Sequence, residues 1–118
     1  MQKNQLEECI FSIIGFSGMA KYYASEAVKN AKNGDFKEVY NLLKKSEEEF
    51  SKAQDAEGKL VKLKNKTSKE CGELILIHSQ DHFMGTMSYC ELARELVDVY
   101  KKIDSLEDKF KSLEKRLD

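Results

Sequence analysis

The residues best suited to chemistry lie together in one apolar stretch, residues 75–84. It holds both histidines of the chain, His78 and His82, with Asp81 between them. At 3.6 residues per turn, these three residues share one helix face with Gly85. Apolar residues continue this face along the chain, so we expect it to point into a core or a subunit interface. Polar groups buried there need partners, and the pattern therefore indicates a functional site.

A histidine pair at i and i+4 can hold a metal ion, but the sequence lacks what the known metal sites of this kind require. The zincin motif HExxH needs a glutamate after the first histidine, and Ser79 stands there instead. The reversed motif HxxEH is closer, with Asp81 in place of the glutamate, but nothing downstream presents a further ligand. A di-iron bundle is disfavoured because the first two predicted helices carry no paired Glu-x-x-His motifs.

Nucleophilic catalysis by an imidazole fits the motif better. The ordinary pKa of histidine, near ~6.5, leaves a ring nitrogen free to attack phosphorus, and the phosphoramidate formed can pass its phosphoryl group on. This role needs an accessible nitrogen, a group that orients the ring and donors for the phosphoryl oxygens. The candidates for these supporting roles are His82, Gln80 and Ser79. A structural histidine pair in a helical interaction module is the alternative that the residues alone leave open.

Composition and charge exclude several other classes of function. The chain has 118 residues, 41% hydrophobic and 35% charged, with no proline or tryptophan, which favours one soluble domain of long helices. A net charge of −1 gives no electrostatic reason to bind nucleic acid or an anionic membrane. The cysteines Cys9, Cys71 and Cys90 are odd in number and form no CxxC pair, as expected of ordinary thiols in a reducing cytosol. The apolar stretch at 9–20 is too short to span a bilayer, so we expect a cytoplasmic protein without membrane insertion.

Apolar periodicity predicts an all-α fold with helices at about 5–33, 35–64 and 73–103 or longer. Gly34 supplies a left-handed stop for the first helix, and Asp35 can cap the second. Short connections between helices of this length are typical of an antiparallel three-helix bundle, which we expect to assemble into an oligomer.

The apolar pattern fails between residues 64 and 72, and residues 65–69 are predicted to form a loop. Thr67 and Glu70 can form a capping box that opens the third helix. The neighbourhood is basic, and its lysines are either solvated or a docking surface for an acidic or phosphorylated partner. These lysines are Lys59, Lys62, Lys64, Lys66 and Lys69.

A second pattern follows the histidines in the third helix. Its apolar residues recur in alternating steps of four and three, the heptad pattern of helices that wrap around one another. The pattern is longer than one three-helix subunit needs, so it predicts self-association. We call these residues the seam: Gly85, Tyr89, Leu92, Leu96, Val99, Ile103, Leu106, Phe110, Leu113 and Leu117.

Three motifs together resemble a known family, the enzyme IIA component of the lactose/cellobiose (diacetylchitobiose) class of the bacterial phosphoenolpyruvate-dependent sugar phosphotransferase system. They are Gly-Phe-Ser-Gly-Met-Ala at 15–20, Ala-Lys-Asn-Gly-Asp-Phe at 31–36 and His-Ser-Gln-Asp-His-Phe-Met at 78–84. The histidine motif, at this distance from the Asn-Gly-Asp-Phe turn, is the most specific of the three. The resemblance covers about residues 3–103.

The resemblance implies a phosphoryl carrier. Members of the family form a homotrimer with sites at subunit boundaries. The histidine aligned with His78 accepts a phosphoryl group from phospho-HPr and passes it to a cysteine of the cognate IIB protein, for uptake of a disaccharide of the lactose, cellobiose or chitobiose type. His82 is expected to support this reaction, and Gln80 to donate a hydrogen bond at the site. The alternative is a metal-binding or structural helical oligomer without phosphotransfer.

The resemblance also implies a metal site at the trimer axis. The aspartate aligned with Asp81 lies near the axis, where three carboxylates would repel one another unless a cation or protons neutralised them. A divalent cation, Mg²⁺ by preference, is the expected cofactor. The chain departs from the family at its end, which divides it into a IIA-like domain at 1–103 and a C-terminal helical extension at 104–118. Ser105 and Asp108 can cap a separate short helix there, so the sequence leaves open whether the third helix continues.

Overall fold

The fold is a bundle of three helices. The computed structural model describes residues 2–64 and 73–118, with side chains at 5–63 and 76–118. Helix α1 spans Gln2–Lys32, α2 spans Phe36–Lys64 and α3 spans Glu73–Leu117. Because α2 runs back along α1 and α3 runs back along α2, the predicted all-α antiparallel bundle is confirmed. None of the described helices has a stretch long and apolar enough to cross a membrane.

The core consists of three successive apolar clusters along the bundle. At the end nearest His78, large side chains of all three helices meet, among them Ile13, Leu60 and Phe83. In the middle the helices approach through small side chains, Ala20, Ala24, Cys90 and Ala93. At the far end Ala27, Ala31, Val39, Leu42 and Val97 pack together. The small residues bring the backbones close enough for the Ser46 hydroxyl of α2 to donate to the Ala20 carbonyl of α1 at 2.8 Å.

The turn between α1 and α2 contains the left-handed glycine and the aspartate cap that the sequence predicted. Gly34 has φ of 82°, the left-handed conformation that ends many helices. The carbonyl of Asn30 accepts from the Asp35 N–H at 3.0 Å, and an Asp35 carboxylate oxygen accepts from the Glu38 N–H at 3.3 Å. The second bond satisfies one free donor of the first turn of α2, as an N-cap residue does. Both predictions at this turn are confirmed.

Substituting glycine by alanine should have opposite effects at two positions. Gly34→Ala should lower the free energy of unfolding by about 1 kcal/mol, because an added Cβ disfavours positive φ. Gly58→Ala should raise it by about 0.5–1 kcal/mol, because Gly58 lies inside α2 and its Cβ would meet no atom within 4 Å. Urea unfolding monitored by circular dichroism measures both values. Equal effects of the two substitutions would contradict the left-handed turn.

Two of the three cysteines are buried thiols. Cys9 and Cys90 are free and buried. Burial raises the pKa of the Cys9 thiol, and the nearby Lys59 offsets part of that shift. Cys71 lies outside the described residues, together with the loop predicted at 65–69 and the capping box predicted at Thr67 and Glu70.

The third helix does not break at residue 104. Asp104 and Ser105 lie within one continuous α-helix that ends at Leu117. The sequence has neither proline nor glycine here, so no residue interrupts the backbone hydrogen bonds. A separate capped helix, one of the two alternatives that the sequence left open, is therefore wrong.

Candidate functional site

The two histidines form an exposed pair near the start of α3. Their ring centroids are 4.8 Å apart, and the ring planes meet at 75°, an edge-to-face arrangement. This contact follows from their spacing, since residues four apart in a helix lie above one another. Both side chains are exposed in the single chain. The pair therefore meets the first requirement for nucleophilic catalysis, which is a ring nitrogen that a second molecule can reach.

The face of α3 opposite the histidine pair packs in the core of the bundle. Leu76 and Phe83 are buried there, and the Phe83 ring stacks on Phe50 of α2 with centroids 5.1 Å apart. Ser79 is fully buried, and its hydroxyl donates to the Leu76 carbonyl at 2.9 Å. Ser79 was one candidate donor for the phosphoryl oxygens, and its burial makes that prediction wrong. The helix under the histidines is fixed by packing, so the rings project from a rigid base.

The other two candidate residues, Asp81 and Gln80, lie on different faces of α3. Asp81 is exposed and shares the histidine face, one turn from His78. Gln80 is half-buried, and residues two apart in a helix do not face each other, so it does not reach the His78 ring of its own chain. A single chain thus places Asp81 on the same helix face as the His78–His82 pair and Gln80 on another face.

The described residues of one chain do not complete a metal site. Among the described residues, no three histidine, cysteine or acidic side chains cluster closely enough to hold an ion. Asp81 nevertheless offers carboxylate oxygens, the ligands that Mg²⁺ prefers. Its donor chemistry fits the predicted cation, but further ligands would have to come from outside the described residues of its own chain.

The seam continues the exposed histidine face along α3. Its large side chains keep much of their surface in water, with Leu92 at 62% and Val99 at 50% exposed. The subunit core uses a different stripe of α3, formed by Leu76, Phe83, Cys90 and Val97. The predicted face therefore does not point into the core of its own subunit. A contiguous stripe of exposed large apolar side chains marks an interaction surface.

Helix α1 carries a second exposed apolar stripe, which the sequence reasoning missed. Phe11 is 71% exposed, Met19 42% and Tyr22 55%. Gly15 and Gly18 lie between them, and a Cβ on either would meet no atom within 4 Å. The spacing of these five positions along one helix face was the available signal. The missing side chains of Gly15 and Gly18 make room for no other group in the described part of the subunit.

The lysines around the predicted loop were the other candidate docking surface, and those that the structure describes do not lie on the histidine face. Lys59 and Lys62 line an open groove of about 570 Å³ between α1 and α2, together with Glu8 and Asp55. Acidic and basic side chains alternate in this groove, so it is not a purely basic surface. Lys66 and Lys69 lie outside the described residues.

Comparison with known proteins identifies the family of this three-helix bundle. The family described as PTS system, Lactose/Cellobiose specific IIA subunit, matches residues 8–101. The chain belongs to this family. The IIA family consists of components of the sugar phosphotransferase system, and this chain is such a phosphotransferase component. The family match ends before the extension at 104–118.

Relatives of known specificity match over nearly the whole IIA domain. The lichenan-specific phosphotransferase enzyme IIA component of Bacillus subtilis (strain 168) is 34% identical over 99 residues, 84% of this chain and 90% of its own. The N,N'-diacetylchitobiose-specific EIIA component of Escherichia coli (strain K12) is 32% identical over 102 residues, 86% of this chain and 88% of its own.

Solved IIA structures share the fold. The crystal structure of a PTS cellobiose-specific enzyme IIA from Bacillus anthracis superposes with a TM-score of 0.77 at 33% identity, covering 85% of this chain and 92% of that chain. The solution structure of the Escherichia coli IIA(chitobiose)–HPr complex gives 0.71 at 31% identity, covering 84% and 96%. The second structure contains HPr bound to its IIA protein.

Proposed function

We propose that this IIA protein carries a phosphoryl group on His78, taken from phospho-HPr and passed to a cysteine of a IIB protein. The observation that carries the proposal is the exposed pair of His78 and His82, held on a rigid helix of a IIA bundle. The HPr complex of the chitobiose relative supports HPr as the donor. We propose a cytoplasmic location, where such donors and acceptors meet.

The transfer needs two displacements at phosphorus. In the first, the lone pair of a neutral His78 ring nitrogen attacks, and an N–P bond forms while the bond between phosphorus and HPr breaks. In the second, a cysteine thiolate of IIB attacks the same phosphorus, and the N–P bond breaks as an S–P bond forms. His82 is expected to orient the His78 ring through the edge-to-face contact or to donate to a phosphoryl oxygen.

The site is completed by assembly into a homotrimer. The exposed seam of α3 and the thin apolar stripe of α1 are the surfaces that support this step. Helices packed along the seam would bring Asp81 of the three copies together, where Mg²⁺ would neutralise the carboxylates. Gln80, which does not reach His78 of its own chain, would then donate to the site of a neighbouring copy.

Replacing Asp81 tests the cation site. Asp81→Leu should stabilise the oligomer by about 1–4 kcal/mol and make its melting temperature insensitive to EDTA, because apolar residues often replace buried charges favourably. The wild-type protein should lose stability when EDTA removes the cation. Asp98→Leu is the matched control, since Asp98 is an exposed carboxylate of α3 outside the seam. Thermal unfolding with and without EDTA measures both, and an Asp81→Leu protein that behaves like the control would contradict the axial site.

Intact-mass spectrometry tests the carrier function directly. Wild-type protein incubated with phosphoenolpyruvate, enzyme I and HPr should gain the mass of one phosphoryl group. The group should be lost in acid and kept in alkali, as a phosphohistidine is, and peptide mapping should locate it at His78. Wild-type protein that gains no phosphoryl group from donors competent on a control IIA protein would overturn the proposal and favour a metal-binding or structural oligomer.

A further inference from the structure

The last part of α3 projects beyond the bundle. Asp104 is half-buried, and its Oδ1 lies 3.5 Å from where a Cβ on Gly34 would be, at the turn between α1 and α2. Every residue at 105–118 is exposed. At 1.5 Å per residue, this segment extends about 20 Å past the turn between α1 and α2. It has no partner among the described residues.

This projecting helix carries large apolar side chains in a fixed pattern. Leu106, Phe110, Leu113 and Leu117 are 63%, 64%, 57% and 81% exposed. They continue the steps of four and three that begin at Gly85, so they lie on the same helix face as the seam. Most of the stability of a helix in a protein comes from packing of its apolar face, and this face packs on nothing among the described residues. The pattern therefore favours a partner along this face.

The charges beside the apolar positions identify the partner. In heptad notation Ile103, Phe110 and Leu117 are a positions, and Leu106 and Leu113 are d positions. The g positions, which precede each a, are all basic: Lys102, Lys109 and Arg116. The e positions, which follow each d, are all acidic: Glu107 and Glu114. One flank of the helix is thus positive and the other is negative.

This arrangement suits a second copy of the same helix in parallel. In a parallel coiled coil, each g residue faces the e residue five positions later on the neighbour. Lys102 would face Glu107, and Lys109 would face Glu114, so both contacts are attractive. In an antiparallel pair, g faces g and e faces e, so every contact would join like charges.

We propose that residues 102–117 form a parallel, in-register coiled coil with the same residues of the other copies in the oligomer. The proposal rests on the assembly step of the proposed function, because the bundle must first hold the copies together. Once it does, association of these short helices becomes effectively intramolecular and needs little intrinsic affinity. At about 58 Å along the helix from His78, Leu117 cannot contact its own histidine site, so this segment acts in assembly.

Disulfide trapping tests the parallel register. In full-length protein carrying Cys71→Ser, Leu113→Cys places a thiol at a d position, where only a parallel in-register arrangement brings it against its own copy. The matched control is Lys115→Cys, two residues on at an f position facing outward. Mild oxidation should cross-link Leu113→Cys at least about 10-fold faster than the control. Equal rates would overturn the proposal. They are the result expected if a different protein or a bilayer, and not a second copy, covers this face.

Charge exchange tests the recognition. Lys102→Glu with Lys109→Glu, and separately Glu107→Lys with Glu114→Lys, should each reduce cross-linking at position 113 by at least about 10-fold, because like charges then face each other. Combining all four substitutions restores opposite charges and should restore cross-linking. Cross-linking that is unchanged in both double variants, or not restored in the combination, would overturn the charge pairing.

Two further measurements separate this proposal from the proposed function. Sedimentation reports the oligomeric state, and intact mass reports phosphoryl uptake at His78. An oligomer that accepts phosphoryl groups but shows no selective cross-link overturns the coiled coil alone. A cross-linked oligomer that accepts none overturns the carrier function alone.

Discussion

A His78→Ala variant should accept no measurable phosphoryl group from HPr, a fall in initial rate of more than about 10⁴-fold. The substitution removes the ring nitrogen that attacks phosphorus, and His82 supports the reaction without being the acceptor. His78 is exposed and outside the core, so the folded structure should persist. Rapid-quench phosphorylation followed by intact-mass spectrometry measures the rate, and circular dichroism checks the fold.

His82 provides the matched control within the same edge-to-face pair. His82→Ala should still accept one phosphoryl group, about 10–100-fold more slowly, because the His78 ring loses the neighbour that orients it. His82→Gln keeps an N–H donor at a similar distance from the helix and should recover part of the rate if donation matters. Phosphoryl transfer that survives His78→Ala but not His82→Ala would exchange the two roles.

The fold was predictable where local chemistry decides it. The positive φ of Gly34 and the cap formed by Asp35 depend on a few neighbouring residues, and both follow from residue type. The continuation of α3 through Asp104 was not decided by the sequence. Aspartate and serine favour helix ends but also occur inside helices, so local propensity is too weak to choose.

The site was predictable only in part, because burial depends on the other helices. Spacing placed His78 and Asp81 on one face and predicted that the seam would serve self-association. It did not reveal that Ser79 lies in the core, since α3 carries two apolar stripes with nearly the same period. Which stripe packs inside the subunit depends on the fit against α1 and α2, where Ala20 and Ala24 allow the backbone of α3 to come close.

Leu92→Glu should convert the oligomer into a folded monomer. In the single chain Leu92 is 62% exposed, so the glutamate stays in water and the subunit keeps its stability. Along the seam of an assembled oligomer the same substitution buries an unpaired charge from every copy, at a cost of about 3–5 kcal/mol for each. One such charge would raise the dissociation constant by more than about 10²-fold, and the charges of all copies together by far more. Sedimentation equilibrium over a range of protein concentrations measures this change.

Val61→Glu is the control, because Val61 of α2 is 43% exposed and lies off the seam. It should leave the oligomer intact. If the oligomer survives Leu92→Glu equally well, the seam is not part of the interface.

Phosphoryl uptake by the monomeric Leu92→Glu variant then distinguishes two versions of the site. If His78 and His82 suffice, the monomer accepts phosphoryl groups at the wild-type rate. If Gln80 acts from a neighbouring copy, the rate falls together with the oligomer, and Gln80→Ala should reproduce that fall without dissociation.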